Sequence, residues 1–157
     1  MNYNEIIYPK PEPTYGILWQ GDHLDQQIYS LTAPVFIVTV DSDEQGKSAN
    51  SIDHKTVFGD LSYVIPDTPD SCYPDNVLIS MAESVIAILK SEGNCYLHCW
   101  AGVSRSSYLS CAVLMRMLGL TFNDALALLR ASHPQANPNS GFTTHLQKLE
   151  KILMNKP

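Results

Sequence analysis

Within His98-Cys99-Trp100-Ala101-Gly102-Val103-Ser104-Arg105-Ser106, a thiol and a guanidinium stand six positions apart with a glycine midway. Strand-like residues lead in (Cys95-Tyr96-Leu97), and a long apolar helical pattern follows. A loop between a strand and a helix N-terminus turns several backbone N–H groups to one point, where the helix dipole adds partial positive charge. Such a loop cradles a phosphate. Arg105 offers a planar fork to two of its oxygens. Cys99 falls at the floor of the cradle, where positive surroundings favour the thiolate that attacks phosphorus. A cysteine before a helix is more often just a small buried hydrophobe. That reading does not account for Cys, Gly, Arg and Ser meeting at one strand–loop–helix junction.

Phosphoryl transfer also needs a proton for the leaving oxygen, and a positioned carboxylic acid supplies it. Asp67 is one candidate, 32 residues before Cys99 on a loop after the strand-like Ser62-Tyr63-Val64-Ile65. Asp70 and Asp75 are the alternatives, and Asp-Thr-Pro on its own is an ordinary turn. Trp100, Ala101, Gly102, Val103, Ser104 and Arg105 form the substrate-binding loop. Asn139 either pins the last turn to that loop or makes a plain Asx turn. His98 reads as structural, holding the strand end by hydrogen bonds.

The run His-Cys-x-x-Gly-x-Ser-Arg-Ser resembles the signature of the cysteine-dependent protein phosphatases, in their dual-specificity branch. That family's loop runs Cys-x5-Arg-Ser/Thr, and Cys99 to Ser106 fits without a gap. Tyr63-Val64-Ile65-Pro66-Asp67-Thr68-Pro69-Asp70 resembles the segment carrying the family's general acid. Asn137-Pro138-Asn139-Ser140-Gly141-Phe142 resembles the turn before its last helix. The resemblance covers about residues 61–149. It weakens upstream, where Asp41-Ser42-Asp43-Glu44-Gln45-Gly46 blurs the pattern. It implies hydrolysis of phosphotyrosine and phosphoserine/phosphothreonine through a phosphocysteine. Cys99 is then the nucleophile, Arg105 binds phosphate, and Asp67 is general acid and later general base. Ser106 bonds the Cys99 sulfur and eases its departure, where helix capping is the alternative. No cofactor and no metal are implied.

The 157 residues suit one domain, with an extended strap over 1–14 (Pro9, Pro11, Pro13) and a core over about 15–154. Apolar and charged fractions of 45% and 17% are those of a globular protein. A net charge of −6 argues against nucleic acid or anionic membrane as partner. No run reaches transmembrane length and the N-terminus lacks signal-peptide character, so the expected place is cytoplasmic. Cys72, Cys95, Cys99 and Cys111 make neither a metal spacing nor a disulfide frame. Oxidation could pair Cys72 or Cys95 with Cys99. The oligomeric state is not readable.

The order of elements predicts an α/β fold: a central, mostly parallel sheet of about four to five strands flanked by helices, as in the phosphotyrosine phosphatases. Strands are expected at 15–19, 35–40, 62–65 and 95–99. Helices are expected at 21–29, 74–90, 104–118, 122–131 and 143–154, with 41–55 as a loop. Ligands in such sheets bind at the carboxyl ends of strands, where Cys99 falls. Two other functions compete. One keeps the chemistry on a phosphoinositide, an RNA 5′ end or a phosphoglucan. The other is a non-catalytic phosphopeptide-binding module. The loop carries no charge before Arg105, which disfavours the polyanions; Cys, Arg and Asp are all present, which disfavours the dead module.

Overall fold

The computed structural model describes residues 3–22, 35–41, 57–91, 93–99 and 101–155. Its strands are β1 (Tyr3–Ile6), β2 (Leu18–Gly21), β3 (Val35–Asp41), β4 (Val57–Val64) and β5 (Asn94–His98). They form one five-stranded sheet in the order β1-β2-β5-β3-β4. Only β1 runs antiparallel, against β2; β2, β5, β3 and β4 are parallel. The strap is thus an edge strand where it begins.

The helices are α1 (Asp75–Lys90), α2 (Arg105–Leu118), α3 (Phe122–Ser132), α4 (Ser140–Lys148) and α5 (Glu150–Met154). Pro74 precedes the first turn of α1, where its missing N–H costs nothing. Asp75 at the start and Lys90 at the end complement the dipole. Gly119 closes α2 in the left-handed region, φ 68°. Among the described residues, helix α2 packs on the four other helices and on β2, β3 and β5. Its Leu109, Val113, Leu114 and Met115 are buried. Each such side chain removed from water contributes about 1.5–3 kcal/mol, so the helix that Arg105 opens is also the centre of the core.

Some boundaries differ from expectation. The last helix is two, because the chain breaks at Leu149. It also starts three residues earlier than its apolar pattern, because Asn139 caps it. The fourth strand is longer toward its N-terminus and the second begins at Leu18. The helix expected at 21–29 and the loop expected at 41–55 fall largely outside the described residues, although Gly21 and Asp41 end β2 and β3.

The parallel register places the site. The carboxyl ends of β2, β5 and β4 share one edge of the sheet, so Asp22, Cys99 and the segment from Ile65 to Asp67 all emerge there. The two sides of the proposed chemistry are brought together by strand direction alone.

Candidate active site

The phosphate loop is held by its carbonyls. The Gly102 carbonyl accepts from His133 Nε2 at 2.7 Å and from Gln20 Nε2 at a longer 3.4 Å. The Val103 carbonyl accepts from the Asn137 N–H at 2.8 Å and from the Ser107 hydroxyl. In a trans peptide the N–H points opposite to the C=O. Fastening both carbonyls on the far side turns the Val103 and Ser104 N–H groups toward the cradle. Gly102 allows the turn with φ 71°, and a Cβ there would meet the Gly21 carbonyl carbon at 2.6 Å.

Behind the loop, Gln20 sits fully buried on β2. Its amide donates to Ser107 Oγ at 2.8 Å and accepts from the Ser110 hydroxyl. The first turn of α2 has no side-chain cap and no acidic residue, so the positive end of its dipole is open to an anion. Arg105 opens the helix, buried to 7% exposure, with Nη1 donating to the Ile65 carbonyl at 3.3 Å. Cys99 is buried, and its Sγ lies 3.3 Å from Ser106 Oγ.

The acid loop closes over this floor. The Ser104 hydroxyl donates to Asp67 Oδ1 at 2.7 Å, which is why it does not cap its own helix. Asn139 Nδ2 donates to the same oxygen at 2.9 Å, and the Asn139 N–H donates to Ser104 Oγ at 2.9 Å. Asn139 Oδ1 meanwhile accepts from the Phe142 N–H at 2.9 Å. Asn139 is therefore both a helix cap and a pin. The alternative acids point elsewhere: Asp70 accepts from Thr68 Oγ1 at 2.9 Å within the loop, and Asp75 pairs with His145 Nε2 at 2.8 Å. Pro69 seats on α4 so closely that a Cβ on Gly141 would lie 1.7 Å from its carbonyl oxygen.

His98 turns to Thr39, Nε2 to Oγ1 at 2.8 Å, and stacks on Tyr96 with ring centroids 5.5 Å apart. Ala101 is exposed and Val103 half-buried on the loop; Trp100 lies outside the described residues. Cys95 and Cys99 stand four residues apart along an extended segment, about 13 Å, too far for a disulfide. Burial pushes the Cys95 and Cys111 thiols up to about 12. Cys72, in the acid loop, donates to the Gly141 carbonyl at 3.3 Å, and burial raises its thiol as well. Among the described residues no group of three or more His, Cys, Asp or Glu is placed to hold a metal. Sequence reasoning missed His133, Gln20 and Ser107, and placed Gly141 only within a turn. Only Gln20, a polar residue inside an apolar strand, gave a readable signal.

At this edge of the parallel sheet a buried thiol, Cys99, lies beneath a loop whose Ser104 is tied to the Asp67 carboxyl. The family description that matches residues 42–152 is "Dual specificity phosphatase, catalytic domain", and the chain belongs to that family. Dual specificity protein phosphatase 15 of Mus musculus is 31% identical over 139 residues, covering 82% of this chain and 58% of the relative. Dual specificity protein phosphatase 22-B of Danio rerio is 36% identical over 99 residues, covering 60% and 52%. The chain thus spans little more than half the length of these curated relatives. Among solved structures, the human tyrosine phosphatase-like serine/threonine/tyrosine-interacting protein superposes with TM-score 0.74 at 25% identity over 96% of both chains. Human DUSP28 superposes with TM-score 0.70 at 26% identity, over 93% of this chain and 97% of that one.

Proposed function

We propose that this single domain is a protein phosphatase that hydrolyses phosphotyrosine and phosphoserine/phosphothreonine through a phosphocysteine. The substrate dianion is held by the loop N–H groups and Arg105. The Cys99 thiolate attacks phosphorus; an S–P bond forms and the ester P–O bond breaks. Asp67 gives its proton to the leaving oxygen. Asp67, now a carboxylate, takes a proton from water as that water attacks phosphorus. The S–P bond then breaks, and the Ser106 hydroxyl donates to the departing sulfur. No cofactor takes part.

One observation carries this reading: the Ser104 hydroxyl of the phosphate loop bonds Asp67 Oδ1 at 2.7 Å, so the acid stands over the loop that holds the thiol. Phosphorylated protein is the favoured substrate. The loop holds no charge before Arg105 and the chain carries −6, so a polyanion meets long-range repulsion and gains one cradled phosphate. Nucleic acid and membrane are not partners on the same ground. A free thiol nucleophile needs a reducing compartment, and the cytoplasm is the natural one. Among the described residues no single helix is long and apolar enough to cross a membrane.

The test is a side-by-side measurement of kcat/KM on phosphopeptides, a phosphoinositide, a 5′-triphosphate RNA and a phosphoglucan, with Cys99→Ser as control. Phosphopeptides should lead and Cys99→Ser should be inactive while still binding phosphate. A ten-fold preference for any polyanion overturns the substrate assignment. Residual activity in Cys99→Ser overturns the mechanism. Phosphopeptide binding without turnover by the wild-type chain returns the binding-module reading.

A further inference from the structure

We infer that His133 is a positioning residue for the phosphate loop: its Nε2–H holds the Gly102 carbonyl and so keeps the Val103 N–H turned into the anion cradle. The inference rests on the phosphatase reading above and adds a residue that never touches substrate.

His133 is fully buried at the end of α3. Its Nε2 lies 2.7 Å from the Gly102 oxygen, and its Nδ1 lies 2.6 Å from Asn4 Oδ1 on β1. A carbonyl only accepts, so Nε2 carries the hydrogen. Burial lowers the His133 pKa, with Asp22, at the end of β2, the charged group that opposes the shift. In the neutral ring Nδ1 is then an acceptor to which Asn4 Oδ1 cannot donate, so we assign the Asn4 amide turned by a half turn, with Nδ2 in place of Oδ1 against Nδ1.

The Gly102 carbonyl needs such a holder. Glycine visits positive and negative φ with similar ease, so the peptide after it has little intrinsic preference. A flip of that peptide would aim an oxygen at the phosphate where an N–H should be, replacing attraction by repulsion. Gln20 is a poor substitute: its Nε2 donates to Ser107 Oγ at 2.8 Å and reaches the Gly102 carbonyl only at 3.4 Å. His133 is fixed in turn from the sheet edge. Asn4 orients the ring, and the Ile7 N–H donates to Ser132 Oγ at 3.0 Å. A strand far from the chemistry in sequence thus steadies the cradle through one imidazole.

The experiment has two arms. In a Cys99→Ser background, inorganic phosphate is titrated calorimetrically against His133→Phe, which keeps a ring without the donor, and His133→Gln, which restores an amide donor. Phosphate affinity should fall at least ten-fold in His133→Phe and recover most of that loss in His133→Gln. With Cys99 intact, kcat/KM should follow the same order. A folded His133→Phe variant with unchanged phosphate affinity overturns the inference, even if its Tm is lower. Should His133→Phe not fold, the second arm decides. Nitrogen-15 spectra of the wild-type imidazole should show the hydrogen on Nε2, and a hydrogen on Nδ1 alone overturns the inference. Hydrolysis by Cys99→Ser would instead overturn the phosphatase reading and leave the phosphate titration valid.

Discussion

Asp67 and Asn139 stand 72 residues apart in the chain and meet at 2.9 Å, Asn139 Nδ2 donating to Asp67 Oδ1. Ser104 completes a triangle, donating to the same carboxyl oxygen and accepting from the Asn139 N–H. Acid loop, phosphate loop and the start of α4 are joined at one point. Among the described residues both bonds to the carboxyl fall on Oδ1, so the general-acid role proposed for Asp67 would use Oδ2.

Asp67→Asn should therefore cut turnover by about 10²–10⁴-fold, the usual worth of a general acid. The loss should grow with the basicity of the leaving group, because a basic oxygen depends most on being protonated. A series of aryl and alkyl phosphates measures the slope, alongside a pH–rate profile whose alkaline limb should flatten in the variant. Asp70→Asn and Asp75→Asn should stay within a few-fold of wild type. If either of those is inactive while Asp67→Asn is not, the acid has been misassigned.

Gly141→Ala should push the acid loop off α4, since its Cβ would overlap the Pro69 carbonyl. Phosphate affinity should change little, because Gly141 is not in the cradle. Turnover of alkyl phosphates should fall by ten-fold or more, and turnover of esters with acidic leaving groups by less. Equal losses on both substrate types would argue against a displaced acid.

The thiols should differ sharply in reactivity. With Cys95 and Cys111 pushed up to about 12 by burial, neither forms thiolate near neutral pH. Brief iodoacetate treatment of the native protein at pH 7, read by peptide mass spectrometry, should leave both unmodified and label Cys99. Phosphate should protect Cys99. Labelling of Cys95 ahead of Cys99 would contradict this assignment.

Stability should carry the mark of His133. Burial lowers its pKa from the ordinary 6.5, so on acidification the unfolded chain takes up that proton first. The folded state then loses ground as pH falls from about 6.5 toward the depressed folded value, and is unaffected above it. The Tm difference between wild type and His133→Gln should narrow as pH drops from 8 to 5. A difference that widens over that range would mean the imidazole is charged in the fold.

Much of the site was legible because phosphate-loop chemistry is local. Cys99, Gly102, Arg105 and Ser106 sit in one short run, and a strand–loop–helix junction has few ways to fold. Asp67 was legible as a candidate only. Its distance from the loop is closed by β4 and β5 running parallel with β3 between them, and local sequence does not encode that pairing. His133 was not legible at all. A histidine before a proline in a polar turn has no periodicity to betray burial, and its partners Gly102 and Asn4 are 31 and 129 residues away. The split of the last helix was missed for a similar reason: Leu149 continues the apolar spacing and gives no break signal, while the start is set by the Asn139 cap.

The bare first turn of α2 has a further consequence. Helices α3 and α4 each begin on a side-chain cap, Thr121 and Asn139; α2, like α1 and α5, begins on none, and α2 alone of these three starts at the Cys99 loop. On the proposed reading, inorganic phosphate, the product, would finish that turn, and the fold would be most complete when turnover is most inhibited. Bound product at concentration [L] adds RT ln(1 + [L]/Kd) to folding stability. The Kd drawn from the rise in Tm and the constant drawn from product inhibition must be one number. Warming the protein in a series of phosphate solutions would report how strongly its own product silences it, without a substrate in the tube.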